Sequence, residues 1–394
     1  MKLPRDFSFV FFGLTAFDAL PQRDRWLAAE IARRGFRVVY IEPMPSAAYS
    51  IRKYLRRSFD SVSNDIVGGH IPVPPGLEIL RPPHIPTFFT SSLTPSLDKR
   101  IFRRWFSKAL RGFPWKKSAA FISYPYWWSG FVDRSSAPAR VLLYDRCDSL
   151  AVPSRSMSVR RRLEACDREL LGAADIVTFS AENLRPPAGA MPRTIPLISL
   201  PNALSREFLN DCTTRGRTQR NEPTIGMCGA FNTKWVDGQL VCEIVERFPN
   251  AVFSIVGPVD RGTAQKLRRY PHVRLFGSIP FPQLPSIMST WDAAMIPFRR
   301  NEISDSINPL KMYEYLAAGL PVVATATREL QRYSSHIRLA ADAEQFVREI
   351  GSALSDRSAA RRKSRIQFAR RNTWTHRVDT LLHAIESAIP KSPA

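Results

Sequence analysis

The sequence predicts an α/β protein built from two domains, each a parallel β-sheet covered by helices. Short apolar stretches alternate with amphipathic ones along most of the chain, which is typical of strand–helix–strand units. At 394 residues the chain is too long for one ordinary core. The polar, unpatterned stretch 209–223 interrupts the alternation and is the best candidate for a linker between two domains, 1–208 and 224–374.

In the first domain, a strand is predicted at 7–13, a helix that ends in glycine at 23–35, and a second strand at 36–43. Residues 44–95 are rich in proline and serine, and we expect irregular loops there. Four further apolar stretches, each followed by a polar loop, are predicted strands: 119–127, 139–149, 174–184 and 194–203.

After the linker the alternation restarts. Strands are predicted at 224–231, 251–258, 273–279, 293–298 and 321–325, and helices at 237–248, 262–269, 282–290 and 309–318. Open parallel sheets bind their ligands beyond the carboxyl ends of the strands, so the loops after these strands are where we expect the chemistry.

Composition and charge narrow the possible functions. The chain has 57 Lys+Arg against 35 Asp+Glu, a net charge of +22, which favours polyanionic partners. Its five cysteines show no zinc or disulfide spacing, which fits a reducing compartment. No stretch approaches the ~20 apolar residues of a membrane-spanning helix, and the N-terminal apolar run, interrupted at Gly13, is interpreted as a strand rather than a signal peptide. A cytoplasmic protein is expected.

The stretch NPLKMYEYLAAGLPVVAT, residues 308–325, suggests a phosphate site. Asn308 and Pro309 suit the start of a helix, and the positively polarised helix end attracts phosphate. Lys311 adds a full charge in the first turn, and Glu314, one turn further on, can accept hydrogen bonds from a ribose diol. Together these features describe a nucleoside diphosphate site. The alternative is a capped helix packed on its sheet, with both charges in solvent.

A second loop, GAFNTKW at 229–235, follows the first strand of the second domain. Gly229 permits close approach of the backbone to phosphate, and Lys234 can neutralise it. The loop lacks the GxGxxG spacing, so an ordinary strand-to-helix loop is the alternative. Arg299 follows the strand 293–298 on the same predicted edge, where cations can meet the charge of a leaving diphosphate without a metal. No DxD motif lies in a plausible loop, so no metal and no cofactor are expected.

The same stretch, 308–325, resembles the donor-binding segment of bacterial glycosyltransferases with the GT-B fold, which has two facing Rossmann-like domains and a donor site in the interdomain cleft. Within that group the chain is similar to teichuronic-acid and xanthan-type glucuronosyltransferase-like enzymes. Further segments resemble these enzymes in the same order: YDRCDSL (144–150), ADIVTFSAENL (174–184), LPNAL (200–204), IGMCGAFNTKWVD (225–237) and FGSIPFPQLPSIMSTWDAAMIPF (276–298). The chain departs from the family by PNAL in place of PNGVD, and by a single glutamate where many relatives have two.

The resemblance implies an acceptor site in the first domain, a nucleotide-sugar site in the second, and a final helix, 375–390, that packs back on the first. Inverting transfer needs a carboxylate that deprotonates the acceptor hydroxyl. The resemblance favours Asp148 over Asp145 for this role, and the alternatives are a turn aspartate or a retaining enzyme without a base. The donor-binding residues assigned in this way are Gly229, Phe231, Lys234, Arg299, Asn308, Pro309, Leu310, Lys311 and Glu314.

The basic segment 97–117 combines apolar residues at helical spacing with Lys and Arg at most other positions. This profile is typical of an interfacial helix on anionic lipid, and it assigns membrane binding to Arg103, Arg104, Lys108 and Arg111. The alternative is an amphipathic helix packed on its own domain with a solvated basic face. The family resemblance favours the membrane, because related enzymes act on lipid-linked acceptors.

We therefore expect a metal-independent, inverting glycosyltransferase. It would move a sugar from a nucleotide diphosphate-sugar donor to a lipid-linked or polysaccharide acceptor, as a peripheral protein on the cytoplasmic face of the membrane. Two alternatives stay open. A nucleotide-sugar epimerase of the same fold would need no acceptor. A nucleic-acid-binding protein would explain the charge, but no helix-turn-helix, zinc or RNP-like motif supports a nucleic-acid partner.

Overall fold

The computed structural model describes residues 3–18, 22–44, 73–85, 95–150, 157–192, 194–214 and 222–389. These residues form two compact units. The first unit contains the described residues up to Leu200 and again those from Arg377 onward, and the second contains the described residues between Pro201 and His376. The division falls before the predicted linker at 209–223. The reason is that Arg206–Thr214 is a helix, and its apolar side chains, among them Phe208, belong to the core of the second unit.

The described strands of the first unit form one parallel sheet in the order β3-β2-β1-β4-β5-β6-β7. They are β1 Ser8–Phe12, β2 Arg37–Ile41, β3 Leu77–Leu80, β4 Ser118–Ile122, β5 Val141–Arg146, β6 Ile176–Phe179 and β7 Leu197–Ser199. Every residue of β1 and β4 is buried, as expected for central strands of a sheet covered on both faces. The edge strand β3 lies within 44–95, where we expected only loops. It has four residues between prolines, which is too short for a periodic signal.

The described strands of the second unit form a second parallel sheet in the order β10-β9-β8-β11-β12-β13. They are β8 Thr224–Cys228, β9 Val252–Val256, β10 Val273–Gly277, β11 Ala293–Ile296, β12 Val322–Thr325 and β13 Arg338–Ala340. The chain builds outward from β8 to β10 and then returns to start again at β11. The strand order therefore reverses between β8 and β11, and such a switch point opens a crevice for ligands at the carboxyl ends.

The described helices of both units are α1 Arg23–Arg33, α2 Pro95–Ala109, α3 Met157–Ala173, α4 Arg206–Thr214, α5 Gly238–Arg247, α6 Arg261–Leu267, α7 Leu284–Met288, α8 Glu302–Asp305, α9 Leu310–Ala317, α10 Ala343–Leu354, α11 Ala359–Arg371 and α12 Trp374–Ala388. Within the first unit, α12 contacts the N-terminal part of the chain. Glu386 accepts a hydrogen bond from the backbone N–H of Leu3 at 3.0 Å, and Asp379 pairs with Arg34 at 2.7 Å.

The fold class predicted from the sequence, α/β with two Rossmann-like sheets, is confirmed. The apolar runs that predicted the strands supply much of the core of each unit, and helix side chains complete it. Among the described helices, none combines the length and the apolar composition of a membrane-spanning segment.

Candidate active site

Glycines cluster at the carboxyl ends of the strands in the second unit. Gly229 follows β8, Gly257 follows β9, and Gly277 ends β10, with φ of 137°, 120° and 66°, a region that glycine adopts without a Cβ penalty. Gly229 donates its N–H to the carbonyl of Val256 at 2.9 Å, and a Cβ on Gly257 would lie 2.2 Å from the carbonyl oxygen of Gly229. The loops thus pack backbone against backbone. A Cβ at Gly229 itself would meet nothing within 4 Å, so this position leaves room for a ligand.

Helix α9 is fastened beside the end of β8 by Tyr315. The N–H of Cys228 donates to the Tyr315 hydroxyl at 2.7 Å, and that hydroxyl donates to the Cys228 carbonyl at 3.2 Å. Tyr315 is buried in the core of the second unit. As a result, α9 is anchored next to the loop of Gly229, at the switch point of the sheet.

Lys311 and Glu314 form an ion pair in α9, with Nζ 2.7 Å from Oε2 and side-chain exposures of 27% and 7%. Burial raises the pKa of Glu314, although the Lys311 charge opposes this effect. For Lys311, burial acts to lower the pKa, but the neighbouring Cys228 and Glu314 outweigh burial and the pKa is raised. Lys311 therefore stays charged. The second carboxylate oxygen of Glu314 has no donor among the described residues and remains available to a ligand.

The sequence predicted that Asn308 caps this helix, but in the structure it does not. Pro309 occupies the cap position, without a side-chain cap, and Asn308 is 2% exposed. The Asn308 side chain accepts from the N–H of Asn202 at 2.9 Å and donates to Glu329 at 2.9 Å and to the Tyr333 hydroxyl at 2.7 Å. A buried amide with these partners cannot also turn to the helix end. Asn308 instead holds the segment after Pro201 against α9, and the first N–H groups of α9 stay uncapped.

The loops after β8 and β11 are tied together by Arg299. Its Nε donates to the carbonyl of Thr233 at 3.0 Å, and its guanidinium lies 3.8 Å from the carboxylate of Asp237. Lys234 lies half-buried in the same loop. The side chain of Phe231 is 5% exposed and belongs to the core, so it supports the loop from within. The structure therefore brings the loop of Gly229, Arg299 and the start of α9 to one edge of the sheet.

In the first unit, Asp145 is fully enclosed at the end of β5. Arg23 of α1 donates Nε to Oδ2 at 2.7 Å and Nη2 to Oδ1 at 2.9 Å, and the Thr178 hydroxyl of β6 donates to Oδ1 at 2.6 Å. The side chain of Asp145 is 0% exposed. A carboxylate that is saturated by donors and closed to solvent is placed to clamp α1 to the sheet rather than to take a proton from a substrate.

The Asp145→Asn variant should therefore be a stability variant. Arg23 would be left buried without its countercharge, which costs about 3–5 kcal/mol when one partner of a buried pair is removed. Urea unfolding followed by circular dichroism measures this loss. Asp148→Asn is the matched control and should unfold near the urea midpoint of the parent protein. Equal midpoints for all three proteins would show that the Arg23 clamp is not important for stability.

Asp148 lies beyond the end of β5 and is exposed. Although Asp148 is exposed, nearby protein removes part of the hydration of its carboxyl group. This effect and the charges of Asp24 and Asp145 outweigh the charge of Arg23, so the pKa of Asp148 is raised to about 7. Asp24 is itself held by the N–H of Leu14 at 2.7 Å and by the Tyr40 hydroxyl at 2.6 Å. A carboxylate that is reachable from solvent and titrates near neutral pH has the properties of a general base.

A family model supplies the decisive comparison. Residues 222–356 match the model described as "Glycosyl transferases group 1", and this range contains the whole assembly around Gly229, Arg299 and α9. This part of the chain is a glycosyltransferase group 1 domain. The chain is also 31% identical over 114 residues to the putative teichuronic acid biosynthesis glycosyltransferase TuaH of Bacillus subtilis. That match spans 27% of this chain and 28% of the curated relative.

Solved structures resemble the chain over nearly its whole length, beyond the glycosyltransferase domain. Sucrose-phosphate synthase from Thermosynechococcus elongatus matches with a TM-score of 0.67 at 14% identity, over 97% of this chain and 98% of that one. HepE of Anabaena, solved with UDP and glucose, matches with 0.64 at 13% identity, over 97% and 100%. WaaG, a glycosyltransferase involved in lipopolysaccharide biosynthesis, matches with 0.61 at 14% identity, over 96% and 99%. At these identities the likeness shows the fold, which is the GT-B fold predicted from the sequence.

Two hydroxyl groups near Asp148 were not singled out from the sequence. Ser123 and Tyr124 follow β4 and are 1% and 5% exposed, and neither hydroxyl has a hydrogen-bond partner among the described residues. The Cys147 thiol donates to the carbonyl of Ser123 at 3.3 Å, which ties this loop to the residue before Asp148. Burial, and then the charge of Asp148, raises the pKa of Tyr124. The sequence analysis missed them because it placed both residues inside the predicted strand 119–127, whereas β4 ends at Ile122.

The basic segment 97–117 does not present an apolar face to solvent. Phe102, Phe106, Leu110 and Phe113 are buried in the core of the first unit. Arg103 donates to the carbonyl of Phe131 at 3.1 Å and pairs with Asp133, so it is committed to its own unit. The exposed basic residues of the segment include Arg104, Lys108 and Arg111. The helix therefore packs on its own unit, as in the alternative expectation, and membrane contact through its basic face stays a prediction.

Proposed function

We propose that the protein transfers a glycosyl unit from a nucleotide diphosphate-sugar donor to an acceptor hydroxyl. The observation that carries the proposal is the meeting of the Gly229 loop with the ion pair of α9, inside a glycosyltransferase group 1 domain. The diphosphate would lie at the uncapped start of α9, just after Pro309, where the N–H groups of Leu310 and Lys311 and the Lys311 charge meet its oxygens. The free oxygen of Glu314 would accept from the ribose.

In the first unit, Asp148 would act as the base. It would take the proton of the acceptor hydroxyl while the acceptor oxygen attacks the anomeric carbon and the nucleoside diphosphate leaves from the opposite face, with inversion. The unpartnered hydroxyls of Ser123 and Tyr124 offer hydrogen bonds to an acceptor sugar beside this base. Lys311, the start of α9 and Arg299 would meet the charge of the leaving group, so transfer is expected to proceed without a metal.

The two alternatives have less support. An epimerase would need the donor site but no base for an acceptor, and none of the relatives named above is an epimerase. A nucleic-acid-binding protein would explain the net charge alone, and it gives no role to the cluster at Gly229 and α9.

The acceptor would be lipid-linked or a polysaccharide at the cytoplasmic face of the membrane, where the chain binds peripherally through the basic face of the first unit. Changing Arg104, Lys108 and Arg111 to Gln should release the protein from anionic vesicles. Each basic side chain near the surface contributes about 1 kcal/mol to binding, so three changes should lower the bound fraction visibly. Co-sedimentation with vesicles containing phosphatidylserine measures the effect.

The control for charge alone changes Lys266, Arg268 and Arg269 to Gln, three exposed basic residues in or just after α6 of the second unit. This variant should sediment with vesicles like the parent protein. If both triple variants bind equally, the net charge rather than the face in the first unit determines binding. Arg103 is left intact in both, because its contacts to Phe131 and Asp133 belong to the fold.

A transfer assay tests the proposed activity itself. Nucleotide sugars with different bases and sugars are incubated with the protein and a bacterial membrane fraction, in buffer containing EDTA. We expect release of a nucleoside diphosphate together with sugar incorporation into lipid or polymer. Isomerisation of the donor without any incorporation would support the epimerase instead.

A further inference from the structure

The second unit contains a cavity at one edge of its sheet. This edge lies opposite to the edge that carries Gly229, Arg299 and the start of α9. The cavity has a volume of about 210 Å³ and is lined by residues just before β11 and β12, by Gly319 at the end of α9, and by the start of α11. Helix α9 runs from the carboxyl edge of the sheet back to its amino edge. The cavity therefore touches the end of α9 that lies far from Lys311, and it is separate from the donor site.

Most charged side chains in the cavity wall are committed to one another. Arg365 donates to Asp356 at 3.0 Å and to the carbonyl of Gly319 at 3.0 Å, and it is 8% exposed. Arg357 lies 3.6 Å from the carboxylate of Asp292. These pairs are close to neutral as a group, so they shape the wall without attracting an ion strongly.

Arg362 is the exception. It is half-buried, and its side chain lies across Gly319, where its Cγ would be 2.8 Å from an added Cβ. Its guanidinium has neither an ion pair nor a hydrogen bond among the described residues. It also lines an adjoining cavity with Lys363 and Arg370 of the same helix. An anion in the cavity would give Arg362 the partner that the described residues do not supply.

The start of α11 would also attract an anion. Ser358 caps the helix by accepting from the N–H of Arg361 at 3.3 Å, whereas the N–H groups of Ala359 and Ala360 have no acceptor among the described residues. The helix has 13 residues and carries a positive partial charge at this end. Ser358 and Ala359 line the cavity together with Arg362.

Apolar side chains complete the wall: Pro285, Met288, Trp291 and Leu320. The indole N–H of Trp291 is buried and has no acceptor among the described residues. The cavity thus joins anion donors on one side to an apolar wall on the other, and its volume exceeds the needs of a simple inorganic ion. This combination suits a small organic molecule that carries one phosphate.

We propose that this cavity binds the phosphate group of a small phosphorylated compound, with Arg362 and the first N–H groups of α11 as its donors. The experiment uses the full-length chain carrying Lys311→Met and Glu314→Gln, so that phosphate binding at the donor site does not contribute. Inorganic phosphate and glucose 6-phosphate are titrated by calorimetry at constant ionic strength. Both should bind, and the added Arg362→Gln change should weaken both at least tenfold.

The matched control is Arg348→Gln, an exposed arginine of α10 outside the cavity, which should leave both affinities unchanged. Equal affinity with and without Arg362 would overturn the proposal, as would binding that chloride reproduces at the same ionic strength. Amide NMR of the unmodified chain provides a readout that does not depend on any variant. Phosphate should shift the resonances of Gly319, Ala359 and Ala360, and shifts confined to the region of Gly229 and Leu310 would place the ligand at the donor site alone.

Discussion

The Asp148→Asn variant should lower the rate of glycosyl transfer by about 10²–10⁴-fold while nucleoside diphosphate affinity stays unchanged. Asparagine keeps the size of the side chain but cannot take a proton from the acceptor hydroxyl. The carboxyl group is reachable from solvent, so the change should leave the fold intact. Initial rates of transfer at saturating donor, together with calorimetry of the nucleoside diphosphate, measure the two quantities separately.

The pH profile adds a test with a definite sign. The base works in its deprotonated form, and the pKa of Asp148 is raised to about 7. Activity of the parent protein should therefore rise as the pH passes through about 7 and level off above it. The residual activity of Asp148→Asn should lack this rise. If the variant keeps the parent rate, the enzyme is retaining or its base is another residue.

The Lys311→Met variant should lose both stability and nucleoside diphosphate affinity. Glu314 is 6% exposed, and without Lys311 its carboxylate is buried without a countercharge, which costs about 3–5 kcal/mol. Burial then raises the pKa of Glu314 further, because the Lys311 charge no longer opposes it, and protonation removes the buried charge. The loss of stability should consequently be smaller at acidic pH and grow as the pH rises through the folded-state pKa of Glu314. Urea unfolding at several pH values measures it.

The double variant Lys311→Met with Glu314→Gln separates folding from binding. Removing both charges should recover most of the stability, because no unpaired buried charge remains. Nucleoside diphosphate affinity should stay low, since a charge-assisted hydrogen bond of about 1.5–3 kcal/mol to the ribose is lost along with the phosphate partner. Glu314→Gln should weaken the binding of a free nucleoside, whereas Lys311→Met should barely change it. Full recovery of diphosphate affinity in the double variant would show that the pair serves the fold only.

Long apolar runs made much of the fold predictable. β1, β8 and β11 lie in the centres of their sheets, and their continuous apolar residues identified them directly. β3 could not be found in the same way, because a four-residue edge strand owes its existence to the neighbouring β2. The boundary between the units was placed too late, since the helix Arg206–Thr214 is short and its polar residues conceal the apolar ones that reach the second core.

The sequence predicted which loops meet at the carboxyl edge of the second sheet, but not the contacts that single side chains make there. Loops at the carboxyl ends of parallel strands identified Gly229, Arg299 and α9, whereas the role of a single polar side chain depends on distant partners. Asn308 looks like a helix cap until the fold brings Asn202 to it. Without the family resemblance, Asp145 and Asp148 look alike in the sequence, and their difference depends on Arg23 and Thr178, which lie far away in the chain and donate to Asp145.

For the basic segment 97–117 too, the sequence alone did not show what the apolar face of the helix contacts. Its spacing of Phe102 and Phe106 is identical for a helix that faces lipid and for one that faces its own core. Burial of these side chains decides in favour of the core. What remains open to a membrane is the charged face, for which the sequence provides the residues but not the partner.

The central claim is that the second unit holds a nucleotide diphosphate-sugar and the first holds the base that uses it. Calorimetry with a panel of nucleoside diphosphates on three proteins tests this claim most directly. For at least one base, we expect 1:1 binding to the parent protein, equal binding to Asp148→Asn, and at least tenfold weaker binding to the double variant of Lys311 and Glu314. Absence of binding across the panel, or binding that Asp148→Asn weakens and the double variant does not, would contradict the account.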